Sequence, residues 1–337
     1  MRIAVVGTGS IASRHLRNLL ELGYRDLIAV SEFSRRSSIE IDGFSIPTSN
    51  DFSLLLSEDR SIEVVFLCNP SVFHWSYTLK AVNARKHVYL EKPVAVSVDE
   101  ITESARLINK SSVTIAVGNQ FRFHPQLVEI KEKLKKSELG CIHSVHAIQG
   151  EHIADYHPGE DFRLSYATRQ ELGGGVLLTQ IHQIDFLNWL LGPFDHAFAM
   201  APESSALNLG VEENISYLLM GPHKAIVYGH VDYLRRPKQS TLAISGELGS
   251  LEWSYYDGTL SWTGAKPGSV AQVTELQVDR DAIFKEAITD FFRSIQDGSA
   301  PRSTLVDGIN AVAIVDTIKR SCSTHSLEEI RSINELS

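Results

Sequence analysis

Two rhythms of apolar residues divide this chain. In the first third, short apolar runs alternate with helical patterns. Residues 3–6, 27–30, 64–68, 88–90 and 113–117 are runs of the kind expected of strands buried on both faces. Between the first two, residues 13–22 put Leu16, Leu19 and Leu20 on one side of a helix. Ser97, with Glu100 three residues on, is a helix-start signature. Strands alternating with helices at this spacing predict a right-handed parallel sheet. After about residue 125 the period shortens to two. A charged helix is predicted over residues 127–136, and strand-like runs follow at 142–148, 214–220, 225–233, 241–244, 250–253 and 273–278. Turns such as Asp257-Gly258 join them, the pattern of a meandering antiparallel sheet with one wet face. Helices at about residues 282–296 and 305–320 close the second part. The last dozen residues are expected to fray or to form one short helix.

The loop Gly7-Thr8-Gly9-Ser10-Ile11-Ala12 joins the first strand to the first helix. Strand, glycine turn, helix is the context that a dinucleotide fingerprint needs. Gly7 permits the tight turn, Gly9 lets backbone approach a pyrophosphate, and Ala12 is small enough for helix to pack on strand. The helix N-terminus, with Thr8, Ser10 and Ile11, faces the phosphates with free N–H groups. Glu32 stands twenty residues after Ala12, where an acid meets the adenosine ribose hydroxyls. A carboxylate there favours NAD. Ser34, Arg35 and Arg36 follow at once and would suit the 2′-phosphate of NADP. The expected fold class is therefore α/β. It comprises an N-terminal Rossmann domain over residues 1–122 that binds NAD, with NADP possible, and a C-terminal α+β domain over 123–337 with an open, mainly antiparallel sheet.

Asn69 and Pro70 end the strand at 64–68, and His74 begins the next helix; this loop would lie beside the nicotinamide ribose. Glu91-Lys92-Pro93 ends the strand at 88–90. Pro93 cannot donate a ladder hydrogen bond and biases Lys92 towards extended backbone. The lysine is thus held at a strand's carboxyl end, where open α/β sheets bind ligands. Glu91, Lys92 and Asn119 complete the candidate cofactor contacts. Bulk properties then exclude other classes. The 337 residues suggest about two domains, and 43% hydrophobic with 22% charged residues is an ordinary globular mixture. A net charge of −9 without blocks of like charge argues against nucleic acid or an anionic membrane as partner. No apolar run approaches the roughly 18 residues of a membrane span. Cys68, Cys141 and Cys322 are odd in number and far apart, as expected of reduced thiols in a cytoplasmic protein without disulfide framework or zinc spacing.

The segment from Gly173 to Gly192 opens on three glycines and stops at a fourth. Read as one helix, it places Leu178, His182, Asp185 and Trp189 on one face, with Thr179 one turn before His182. Asp185 is spaced to orient the His182 ring. The glycine loop, Glu91-Lys92-Pro93 and this segment together resemble the glucose–fructose oxidoreductase and inositol dehydrogenase family, GFO/IDH/MocA. The resemblance covers nearly the whole chain. It implies a Rossmann domain, a C-terminal domain with an open antiparallel sheet, and NAD(P)-dependent oxidation or reduction of a sugar or cyclitol hydroxyl. It also implies that Lys92 and His182 stand at the catalytic lysine and histidine positions. Many members carry an aspartate one turn before the histidine. Here Leu178 and Thr179 are the nearest residues, so Asp185 and Thr179 are the candidates for tuning His182.

Residues 156–166, Tyr156-His157-Pro158-Gly159-Glu160-Asp161-Phe162-Arg163-Leu164-Ser165-Tyr166, resemble members encoded with bacterial surface-sugar and nonulosonic-acid pathways. The substrate is expected among Lys92, Arg122, Tyr156, Arg163 and His182, with the arginines, Arg169 included, able to grip an anionic sugar. Two other readings stay open: an NAD-binding sensor or scaffold without catalysis, and a lyase or epimerase that oxidises transiently with tightly held NAD. A homodimer or homotetramer is expected, packed through a sheet face carrying Val227, Val231 and Tyr233.

Overall fold

A computed structural model describes residues 1–32, 36–102, 104, 108, 111–221 and 225–331. Arg35, the candidate for a 2′-phosphate, lies outside the described residues. Residues 1–123 and 279–309 form one compact unit; residues 124–278 and 310–331 form a second.

The first unit is built on strands β1 (Arg2–Val6), β2 (Leu27–Val30), β3 (Ser38–Ile41), β4 (Phe44–Ser49), β5 (Ile62–Leu67), β6 (His87–Leu90) and β7 (Ile115–Val117). Their order is β3-β4-β2-β1-β5-β6-β7. All neighbours run parallel except the β3–β4 hairpin at the edge, which turns at Asp42-Gly43. Strand pattern alone missed that hairpin, because its residues are mostly half-exposed and polar. The helices are α1 (Ser10–Glu21), α2 (Phe52–Glu58), α3 (His74–Asn83) and α4 (Asp99–Thr102). Helix α1 buries Ala12, His15, Leu16, Asn18, Leu19 and Leu20, so the expected leucine stripe is its core face.

The second unit contains α5 (Pro125–Lys135), β8 (Ile142–Gly150), α6 (Val176–Thr179) and α7 (His182–Leu191). Strands β9 (His196–Met200), β10 (Asn214–Met220), β11 (Ile226–Asp232), β12 (Gln239–Gly246), β13 (Gly249–Ser254), β14 (Thr259–Gly264) and β15 (Gln272–Glu275) follow. Helices α8 (Arg280–Asp297) and α9 (Leu305–Thr324) and the short strand β16 (Glu328–Glu329) complete the chain. The sheet order is β15-β14-β13-β12-β8-β11-β10-β9-β16. It is antiparallel throughout except where β8 meets β11.

Three expectations are corrected here. First, a single cut at residue 122 does not describe the units. Helix α8 belongs with the first, because Phe284 meets His15 and Phe291 meets Phe66 and Tyr89. Second, Val227, Val231 and Tyr233 are not on an open face. They are 1%, 0% and 0% exposed, and Tyr228 between them is 43% exposed. The strand alternates as expected, but its aliphatic side faces the unit's own interior. Third, Arg122 is not available to an anionic sugar. It is buried, its Nη1 lies 3.1 Å from Asp307 Oδ2, and it also donates to the carbonyl of Arg302. Asp307 in turn accepts from the backbone N–H and hydroxyl of Thr304, capping α9. Breaking a buried pair strands the remaining charge. Arg122→Ala is expected to cost about 3 kcal/mol, read as a lower urea midpoint.

Candidate active site

At the carboxyl ends of the parallel strands, Gly7 has φ of 113°, and a Cβ there would stand 2.7 Å from the Cys68 carbonyl oxygen. Only glycine takes that turn. Gly9 is the N-cap of α1, no side chain caps the helix, and a Cβ on it would meet nothing within 4 Å. Thr8, Gly9 and Ser10 are exposed and Ala12 is fully buried. Bare helix N–H groups behind an open glycine suit a pyrophosphate. The residues present thus fit a dinucleotide. Glu32 follows β2, and its carboxylate acts on the buried Tyr77 phenol, whose proton is held more tightly through burial first and Glu32 second. An acid at this corner suits ribose hydroxyls.

The next two strand ends are tied together by His74. Its Nδ1 lies 2.6 Å from the Pro93 carbonyl oxygen and its Nε2 lies 2.8 Å from that of Asn69. The ring is 2% exposed, and burial holds its pKa below the usual histidine value against the opposing carbonyl contacts. This corrects the expectation of a cofactor contact, because both ring nitrogens are engaged by backbone. Asn69 and Pro70 remain half-buried at the loop. Asn119 is buried and donates to Ser303 Oγ at 3.1 Å, a packing role within the unit. Glu91 is also turned inward. Its Oε1 lies 2.6 Å from Nε2 of His15, a buried residue of α1 that sequence reading passed over. The available signal was a histidine on the same stripe as Leu16 and Leu19.

Between Glu91 and Pro93 stands Lys92, half-buried at the end of β6. Burial pulls its ammonium down to about 8, the Glu91 carboxylate opposes this, and the Arg280 guanidinium adds to it. A lysine that changes charge near neutral pH suits acid–base work.

In the second unit the segment from Gly173 to Gly192 is two helices. Helix α6 ends at Thr179, Gln180 and Ile181 turn, and α7 begins at His182. The one-helix reading is corrected accordingly, and Thr179 is engaged within its own unit. Its hydroxyl donates to the Gly175 carbonyl at 2.8 Å and lies 2.6 Å from the Tyr233 hydroxyl. Thr179 ties the end of α6 to Tyr233, the residue after β11. His182 and Asp185, three apart on α7, do share a face, and they are 9% and 1% exposed. Gln183 fixes the helix: its Oε1 accepts from Tyr217 OH at 2.5 Å. Tyr217 can cross the sheet because Gly229 opposite it has no side chain; a Cβ there would lie 2.1 Å from the ring. The Gln180 amide donates to Tyr156 OH and accepts from Gln149. Tyr156 is thereby held, and burial pushes its phenol well up. Arg163 is exposed, with its guanidinium 4.6 Å over Phe162 and 3.5 Å from Asp161. Arg169 pairs with Glu171 at 2.8 Å. Among the described residues no cluster could hold a metal ion, and no helix is long and apolar enough to cross a membrane.

Two stretches of the chain match one family. Residues 1–119 match its NAD-binding Rossmann fold, described as an oxidoreductase family, and residues 127–252 match its C-terminal domain. The chain belongs to the GFO/IDH/MocA family. It spans about half the length of the curated relatives it first matches. One is an uncharacterized oxidoreductase of Bacillus subtilis strain 168, 28% identical over 190 residues that cover 56% of this chain and 53% of that one. The myo-inositol 2-dehydrogenase of Thermotoga maritima is 22% identical over 349 residues, covering 99% of this chain and 98% of that one. Among solved structures, a levoglucosan dehydrogenase in complex with NADH and levoglucosan is 18% identical, covers 98% of this chain and 100% of that one, and superposes with a TM-score of 0.88. The family's Rossmann model ends where β7 gives way to Asn119, so the glycine loop and Glu91-Lys92-Pro93 both lie inside it.

Two outcomes follow for GFO/IDH/MocA features of this chain. Gly7→Ala is expected to abolish NADH binding, measured by nicotinamide fluorescence, because the turn cannot accept a Cβ. Thr179→Val is expected to lower stability by about 1–2 kcal/mol and to leave that binding unchanged.

Proposed function

We propose that the chain is an NAD(P)-dependent dehydrogenase acting on a hydroxyl-bearing carbon of a sugar or cyclitol. The observation that carries this is Lys92, held at a strand's carboxyl end on the same edge of the parallel sheet as the glycine loop, with its charge balanced near neutral pH. The inositol and levoglucosan dehydrogenases among its relatives support the substrate class. Bound NAD supplies the hydride acceptor or donor. His182 takes the hydroxyl proton on oxidation, and Asp185 on the same face of α7 orients and steadies its imidazolium. Lys92 donates a hydrogen bond to the substrate oxygen and stabilises charge that develops there. Below about 8 the lysine is an ammonium donor, and above it a neutral amine.

A finer reading assigns an anionic sugar, a sugar phosphate or nucleotide sugar of surface-polysaccharide or nonulosonic-acid metabolism. It is supported by the exposed Arg163 stacked on Phe162 and by the segment around it. The same reading includes a homodimer or homotetramer packed through the sheet face that carries Tyr228 and Met200, 43% and 59% exposed.

The test begins with NAD(P) reduction screened over free sugars, cyclitols, sugar phosphates and nucleotide sugars. On the substrate found, His182→Ala and Lys92→Ala are expected to lower kcat by about 10²–10⁴-fold. Turnover within a few-fold of wild type in both variants removes the mechanism. Lys92→Arg keeps its charge at all working pH, so the inflection near 8 is expected to vanish from its pH–rate profile. Arg163→Ala is expected to raise KM for an anionic sugar only; an unchanged KM removes the finer reading. Light scattering at micromolar concentration checks the assembly, and a monomer there contradicts it.

A further inference from the structure

His15 is caged by aromatic rings. Phe66, Tyr89 and Phe284 stand 5.5, 5.2 and 5.6 Å from it, centroid to centroid. It is 0% exposed, and Glu91, which it meets at 2.6 Å, is 5% exposed. A phenylalanine would fill such a cage more cheaply, since a buried polar ring must find a hydrogen-bond partner. On its other side the carboxylate abuts Gly118, where a Cβ would stand 2.9 Å from Glu91 Oε1. Three elements distant in sequence therefore converge on one carboxylate: α1, the end of β6 and the residue after β7. Burial pushes the Glu91 carboxyl up, but the hydrogen bond and charge of His15, with Lys92 and His74, more than offset it and hold it below its usual value.

Glu91 is buried and its carboxylate is engaged by His15, so its place in the site is indirect. We propose that His15 is a positioning residue for Lys92: its hydrogen bond keeps the Glu91 carboxylate as a fixed negative charge one residue from the ammonium, so the helix that carries the cofactor loop also sets the lysine's charge environment. This rests on the reading of Lys92 as a catalytic group. His74 holds the backbone on the far side of Lys92 through the Pro93 carbonyl, and that contact carries no side-chain charge on the Pro93 side. Other groups that act electrostatically on this pair include Cys68 after β5, His74 on α3, Tyr89 in β6 and Arg280 at the start of α8.

The test follows Lys92 itself and needs no substrate. The full chain is pulse-acetylated with acetic anhydride across pH, and modification of Lys92 is read by peptide mass spectrometry. Only the neutral amine reacts, so the rate reports its midpoint, expected near 8 in the wild type. Glu91→Gln removes the charge outright. His15→Phe leaves a buried carboxyl without its hydrogen-bond partner, and such a group takes up a proton. Both variants are expected to move the Lys92 midpoint down by about one pH unit or more. His15→Gln keeps an N–H donor and is expected to leave the midpoint in place. An unmoved midpoint in Glu91→Gln overturns the proposal. So does a His15→Phe protein that binds NADH and melts cooperatively yet titrates like wild type. If His15→Phe does not fold, the remaining pair decides, because a shift in His15→Gln without one in Glu91→Gln contradicts the proposal. Failure of the dehydrogenase reading appears separately, as turnover retained in Lys92→Ala.

Discussion

A carboxylate out of water must be hydrogen-bonded or it will not stay charged. In the first unit that constraint falls on Glu91, and meeting it determines how the strand ends are arranged. His15 reaches the carboxylate only if α1 lies close against β6 and its neighbour β5, and Ala12 and Leu16, both fully buried, allow that approach. Gly118 must lack a side chain for the carboxylate to lie where it does. Helix α8 must bring Phe284 to the other side of the imidazole. Residues 76 positions apart in sequence thus share one buried hydrogen bond, one residue before Lys92.

Much of this fold is legible in the sequence because its signals are local. The glycine loop between an apolar run and a leucine stripe, and an apolar run stopped by proline, each specify conformation within a few residues. The period-two strands of the second unit are legible for the same reason, and β11 alternates as its pattern requires. Alternation does not say which face is inside. Val227 and Val231 went to the interior because that side of the sheet carries the unit's own core, a fact fixed by other strands and helices.

Side-chain commitments were the hardest part to read. Arg122 and Asp307, His15 and Glu91, and Thr179 and Tyr233 pair across long sequence separations, and each member alone has several ordinary explanations. His74 illustrates the difficulty. A histidine after Asn69-Pro70 at a helix start suggests a ligand contact, yet its two nitrogens are spent on the carbonyls of Asn69 and Pro93. The helix break at Gln180-Ile181 is of the same kind. Nothing in the apolar spacing demands it. The side chain of Gln180 is drawn instead to Tyr156 and Gln149, while that of Gln183, on α7, is drawn to Tyr217.

The two units solve one problem in the same way. A side chain that handles protons needs a fixed position, but every hydrogen bond used to fix it alters its chemistry. The chain is anchored on both sides of Lys92: Glu91 is held by His15, and the Pro93 carbonyl by His74. His182 follows the same pattern: Gln180 is held by Tyr156 and Gln149, and Gln183 by Tyr217 passing over Gly229. Anchoring the flanking residues confines the backbone of the reactive one. On the function proposed above, substitution at Lys92 or His182 is expected to alter the chemistry while the anchors stay in place. His15 in the first unit and Tyr217 in the second are each buried and hydrogen-bonded to a residue beside or near the proposed reactive one.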